Sequence, residues 1–177
     1  EVIKSVYKRE YRALFDVNGV NCNRKAVKDA CRNGNEKIVF LGDSFIGSFQ
    51  RAFVDVYSSE NFGFISFNYE QCPFIMDLNW YKNKTRCAAQ NKERIDWFKS
   101  LNDSRIVFVS ANTHQFVVPN KLRSNLLQNA SDAEWKKYRQ QQNELAWQSY
   151  VESIGWLIDM GHEVVVLTSP PRQHSVD

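Results

Sequence analysis

Ser44 is the residue best placed by its neighbours to act as a nucleophile. It closes Gly42-Asp43-Ser44, directly after the apolar run Ile38-Val39-Phe40-Leu41 and directly before apolar residues spaced by three and four, Phe45, Phe49, Ala52, Phe53 and Val56. A Ser between a buried strand and a helix gains twice. Its hydroxyl faces the crevice at the strand end, and the helix start offers backbone N–H groups and a positive dipole to a developing oxyanion. The same position also suits an ordinary helix N-cap. Asp43 reads as a brace of this turn rather than a titrating participant. Asn112 follows another short apolar run, Arg105 to Val109. Its neutral amide can serve an oxyanion hole or simply end the strand in a turn.

An activated Ser needs a base within hydrogen-bond reach. The chain has three histidines. His114 is adjacent to the Asn112 loop, where a base would crowd the acceptor. His162 opens a strand pattern at its N-terminal end, the wrong side for a site at strand C-termini. His174 lies seven residues past Leu167, beyond Pro170-Pro171, and no Asp precedes it in the order that would fix its tautomer. The expectation is therefore that the base lies outside these residues, with His174 as the stand-in within them.

The elements that must position these residues alternate. Runs at 37–41, 62–67, 105–109 and 163–167 are short, β-branched or aromatic, and bounded by turn residues, the pattern of buried strands. Helical spacing fills the intervals: Phe45 to Tyr57, Ala88 to Leu101 with Ile95 and Phe98 on one face, and a long helix from Ser131. Ser131 and Glu134 form a capping box, and Gly161 supplies the stop. The core face of that helix is predicted as Trp147, Tyr150, Val151, Ile154, Leu157 and Ile158. A short helix is predicted around Arg24 to Ala30, and the 113–129 stretch reads as a mixed loop with room for another. Strand-helix alternation predicts a three-layer α/β/α fold on a parallel sheet. Ligands in such sheets sit outside the strand C-termini, which restricts chemistry to 42–44, 68–72, 110–114 and 168–174. Residues 1–36 read as an N-terminal extension and 37–177 as the domain.

Several function classes are excluded. A net charge of +3 with no Lys/Arg block longer than two gives no footprint for nucleic acid. No aliphatic run exceeds Val164–Leu167, far short of a membrane span. GDSFIGS has neither phosphate-loop spacing, and Gly-x-Ser-x-Gly is absent. The four cysteines show no zinc-ligand spacing. They allow three connectivities or four free thiols. Two local pairs, Cys22 with Cys31 and Cys72 with Cys87, are the favoured reading and imply an oxidising compartment. Trp80 and Tyr81, in the long connection after the second strand, suit either packing or stacking on a sugar ring. The sequons at Asn83, Asn102 and Asn129 carry little weight in an Asn-rich chain.

Ile38 to Ser44 resembles the first block of the SGNH (GDSL-like) hydrolase superfamily, in which the Ser is the nucleophile. Ser110-Ala111-Asn112 sits where that superfamily's third block supplies the oxyanion Asn, and the element order matches its flavodoxin-like sheet. The paired cysteines, with the Glu70-Gln71-Cys72-Pro73 loop, resemble more narrowly the SGNH domains fused behind bacterial acyltransferase-3 membrane domains, which O-acetylate surface polysaccharides. Two departures stand out. Gly63 precedes the second strand where the superfamily's second-block Gly follows it, so a backbone N–H near Gln71 is the substitute donor. The Asp-x-x-His block is missing, since His174 and Asp177 stand in reverse order.

The resemblance implies acyl transfer to a carbohydrate through an acyl ester on Ser44, with the Ser44 N–H and Asn112 holding the oxyanion. It implies no bound cofactor or metal, an acetyl donor supplied by a partner domain or by acetyl-CoA upstream, a carbohydrate acceptor, and a fused or associated acyltransferase-3 membrane domain. The expected location is periplasmic or otherwise extracytoplasmic, tethered to the inner membrane. A carbohydrate O-acetylesterase is the alternative, and a catalytically silent sugar-binding or scaffolding module is the alternative of another class.

Overall fold

The computed structural model describes residues 16–17, 20–57, 63–77, 84–112 and 130–168. Among these described residues seven strands are formed: β1 (Asp16–Val17), β2 (Val20–Asn21), β3 (Arg32–Asn33), β4 (Ile38–Gly42), β5 (Phe64–Asn68), β6 (Ile106–Ser110) and β7 (Glu163–Leu167). Three helices accompany them: α1 (Ser44–Tyr57), α2 (Lys84–Lys99) and α3 (Asp132–Asp159). β1 and β2 make a small antiparallel pair, and the others form one sheet in the order β3-β5-β4-β6-β7. Its four long strands are mutually parallel, and only β3 runs antiparallel, against β5. The parallel part has the second strand beside the first, then the third and fourth, which is flavodoxin-like order.

The pleat explains the layers. Phe40 points to one face, where it meets Phe49 and Phe53 of α1 together with Phe64 and Phe108 of the neighbouring strands. Val39 and Leu41 point to the other and join Ile65, Phe67, Val107, Val109, Phe98 and Leu157. Both faces of these strands are thus covered, which is why they read as continuous apolar runs rather than alternating ones. Register aligns the strand ends: Gly42 is opposite both Asn68 and Ser110, and Ser110 is opposite Leu167. All four C-termini form one edge.

Some boundaries differ from expectation. β5 and β6 each end one residue later than their apolar runs, so Asn68 and Ser110 are strand residues. The Arg24–Ala30 segment holds only a 3-10 turn at Val27–Asp29. α3 starts on the expected capping box, with Ser131 accepting from the Glu134 N–H and the Glu134 carboxylate accepting in return. Gly161 ends it at φ +86°. Its buried face, however, is Ala146, Ser149, Tyr150, Ser153 and Leu157, while Trp147, Val151 and Ile158 are 46%, 61% and 55% exposed. Close approach decides this: Ser153 Oγ donates to Ser149 O at 2.7 Å and accepts from Met76 N at 2.9 Å, and Ala146 belongs to the same buried cluster as Cys72 and Cys87. Bulky side chains would hold the helix off.

Candidate active site

The site grows from the end of β4. Gly42 has φ +149°, and a Cβ there would collide with the Ser110 carbonyl. Only Gly lets β4 and β6 stay paired while the chain turns toward α1. Asp43 is fully buried. Its Oδ1 accepts from the Phe45 N–H at 3.0 Å, and its Oδ2 accepts from the Asn112 N–H at 2.7 Å. The first bond caps α1, so the N-cap role belongs to Asp43 and Ser44 is the first helical residue. Ser44 is half-buried, with its own N–H at the helix start. The second bond ties the loop after β6 to the same turn. Ser44 and Asn112 are thereby brought to one edge, bridged by a single carboxylate.

Burial raises the Asp43 carboxyl above the usual carboxylate range, opposed by the Asn112 and Phe45 N–H groups and by the charge of Arg94. Arg94 of α2 is completely buried, and burial lowers it to about 10. Its guanidinium donates to Phe67 O at 2.7 Å, Asn91 Oδ1 at 2.7 Å, Gly42 O at 3.2 Å and Cys72 O at 3.3 Å. Asn91 in turn donates to Pro73 O at 3.0 Å and Ile75 O at 2.8 Å. Two α2 side chains thus fix the ends of β4 and β5 and the loop that follows. Tyr150 of α3 is buried against Ala111 and the Cys72–Cys87 pair. Burial, and then the nearby Asp43 charge, push its phenol up, which keeps it protonated.

The loop after β5 is held from outside as well. Tyr69 N–H donates to Gly42 O and Cys72 N–H to Tyr69 O, closing a turn in which Gln71 has φ +62°. Asn23 Oδ1 accepts from Glu70 N at 2.9 Å, and Arg24 pairs with Glu70 at 2.7 Å. The left-handed conformation at Gln71 is the one Gly normally supplies. It stands in the segment where the expected second-block donor has no Gly.

Disulfides join Cys22 to Cys31 and Cys72 to Cys87, with Cα separations of 5.5 and 5.2 Å, matching the favoured local pairs. The first secures the arm carrying Asn23 and Arg24. The second secures the loop clamped by Arg94. His162 sits at the opposite end of the sheet, beside the start of β7, and its Nδ1 accepts from the Arg105 N–H at 3.2 Å. It is therefore remote from Ser44, as its position before β7 implied. His114 and His174 lie outside the described residues, as do Trp80 and Tyr81.

Sequence reading missed Arg94 and Asn91, placed Tyr150 only on the core face of α3, and gave Asn68 no role beyond its place in the 68–72 segment. The first two had a signal: Cys87, Asn91, Arg94 and Phe98 fall on one helical face, so two polar residues interrupt an inward stripe. Asn68 is buried beside Gly42, and its side-chain amide has no hydrogen-bond partner among the described residues; nothing in the sequence distinguishes it from an ordinary strand-ending Asn.

No curated protein matches the chain. A solved structure, the periplasmic domain of the lipopolysaccharide acetyltransferase of Salmonella ser. Paratyphi A, resembles it in fold, with a TM-score of 0.53 at 13% identity over 92% of this chain. The chain spans 56% of that solved chain. The profile of one family, the SGNH domain (fused to AT3 domains), matches residues 17–177. The Gly42-Asp43-Ser44 turn, the flavodoxin-like strand order and this match agree, and the chain belongs to the SGNH domains of the kind fused to AT3 domains.

Proposed function

We propose that the chain transfers an acetyl group to a hydroxyl of a carbohydrate through a covalent ester on Ser44. The observation that carries this reading is the double hydrogen bond of Asp43, which seats Ser44 at the start of α1 and holds Asn112 at the same edge. In the first step Ser44 Oγ attacks the acetyl carbonyl and its proton passes to a base. The tetrahedral oxyanion is held by the Ser44 N–H and the Asn112 side-chain amide, neutral donors that act most strongly in a site shielded from water. Collapse expels the protonated donor group and leaves acetyl-Ser44. The acceptor hydroxyl then attacks that ester, the base takes its proton, and Ser44 is regenerated. The base is expected outside these residues, in an Asp-x-x-His pair, with His174 as the stand-in within them.

Membership of a family fused to AT3 domains supports delivery of the acetyl group by such a domain. The two disulfides support an extracytoplasmic location. The test is intact-mass analysis after incubation with p-nitrophenyl acetate, with peptide mapping of the adduct. A single acetyl adduct on Ser44, absent from Ser44→Ala, is expected. An adduct elsewhere, or equal p-nitrophenol release by Ser44→Ala, would sink the assignment.

A further inference from the structure

The 28 residues of α3 make it far longer than the five-residue strands it crosses. Its C-terminal half lies on the sheet: Leu157 packs with Val107 and Val109. Ala146 and Tyr150 meet Ala111 and the Cys72–Cys87 pair, which lie just past the strand ends. Everything N-terminal to Ala146 therefore extends beyond the edge where Ser44 and Asn112 sit. At 1.5 Å per residue, the overhang from Ala146 back to Trp135 is about 16 Å.

The overhang keeps the inward face of the helix. With 3.6 residues per turn, Trp135, Arg139 and Asn143 fall in the same sector as Ala146, Tyr150, Ser153 and Leu157. Below the edge that sector packs on the sheet. Above it, the sector and the flank beside it, from Trp135, Arg139 and Asn143 round to Gln140 and Trp147, line a cavity of about 540 Å³. Trp147 is half-exposed and set edge-on to Tyr150, with ring centroids 6.3 Å apart. Trp135 is nearly buried and stacks on Tyr138 at 5.7 Å. The exposed Trp147 ring, with amides and charged side chains beside it, matches a ligand having an apolar C–H face and a rim of hydroxyls, which is the chemistry of a pyranose. Lys136 and Arg139 outnumber Glu144 in the wall, which also admits an acidic sugar.

We propose that this cavity is an acceptor subsite, holding sugar units of a polysaccharide next to the unit that receives the acetyl group at Ser44. The inference rests on the acyl-transfer reading for the identity of the acceptor, whereas the cavity's affinity for sugars stands apart from catalysis. Its position on the overhang lets a glycan run along α3 and present one unit at the sheet edge. Binding energy from remote sugar units would then orient the reacting hydroxyl, the use of substrate binding that raises transfer over attack by water.

The experiment follows the Trp147 indole N–H resonance, assigned by comparison with Trp147→Phe, in Ser44→Ala protein. Methyl glycosides of glucose, galactose, mannose, rhamnose, N-acetylglucosamine and glucuronic acid are titrated in turn. At least one should shift the Trp147 resonance saturably, and Asn143→Ala should weaken that sugar about tenfold or more. No shift with any of the six, or a shift left unchanged by Asn143→Ala, overturns the subsite. Loss of Ser44 acylation would instead sink the transfer reading and leave the titration standing.

Discussion

Replacing Arg94 by Met removes the guanidinium that joins the ends of two strands to the loop after β5, while keeping most of its apolar stem. Four acceptors lose a donor. Gly42 O retains the Tyr69 N–H at 3.0 Å and Phe67 O retains the Gly42 N–H of the sheet ladder, so the lasting loss falls on Cys72 O and Asn91 Oδ1. At about 1–3 kcal/mol for each buried acceptor left without its donor, the gross cost is about 2–6 kcal/mol. Relief of the buried charge offsets part of it, leaving about 2–3 kcal/mol. A domain of ordinary stability survives such a loss at low temperature, so the variant should fold and unfold at lower urea. The assay is urea denaturation followed by far-UV circular dichroism, with the midpoint falling at constant slope. Arg94→Lys should recover only part, because one ammonium cannot span four acceptors arranged around a planar fork. A midpoint for Arg94→Met within about 1 kcal/mol of the parent would refute the clamp. It would mean that burying the charge costs as much as its hydrogen bonds contribute, as in buried ion pairs that apolar residues replace without loss.

Asn112→Ala should lower kcat for acetyl transfer by about 100-fold or more with KM nearly unchanged, since the contact belongs to the oxyanion; a change confined to KM would make Asn112 a substrate binder. Reduction of Cys22–Cys31 and Cys72–Cys87 should cost about 3 kcal/mol each by loop entropy, read as a lower thermal midpoint in reductant; an unmoved midpoint contradicts it. Burial lowers the His162 pKa below its ordinary value, so the unfolded chain takes up this proton first. His162 should therefore subtract stability as pH falls below about 6.5. His162→Asn, which keeps an acceptor for the Arg105 N–H, should flatten that acid-side decline; an unchanged slope removes His162 as its cause.

The fold was legible because its central strands are covered on both faces. Ile38 to Leu41, Phe64 to Phe67 and Ile106 to Val109 needed no periodicity to be recognised, and Val164 to Leu167, partly exposed at the sheet edge, stood out as an apolar run. The alternation of strand and helix leaves few topologies once crossovers are right-handed. Ser44 and Asn112 were legible for the same reason, since both follow a strand that ends in a turn. The face of α3 was not. Apolar spacing selected Trp147, Val151 and Ile158, but contact with the disulfide and with Met76 required Ala146, Ser149 and Ser153, and small residues carry little hydropathy signal. Arg94 falls in the inward stripe of α2, but its role as a clamp was not legible because a buried cation is rare. Its acceptors come from β4, β5 and the Cys72 loop, which are brought together only by the completed sheet.

The three segments of the site are held by different devices, and Asp43 shows why its residue type matters. It must accept from two N–H groups that approach opposite oxygens, Phe45 at Oδ1 and Asn112 at Oδ2. An ionised carboxylate is acceptor-only on both atoms. An Asn would set its NH₂ against one of those donors, and a protonated Asp would offer one oxygen as a hydroxyl. The ionised form is therefore the one that holds Ser44 and Asn112 together, although burial raises its pKa. Arg94 supplies an opposing charge without a direct ion pair, since its donors are committed to carbonyl and amide oxygens. The brace is thus stabilised at a distance by the same cation that fixes the next loop. Loosening the α2 clamp should favour protonation of Asp43 and release Asn112 from the turn, coupling α2 packing to the geometry around Ser44.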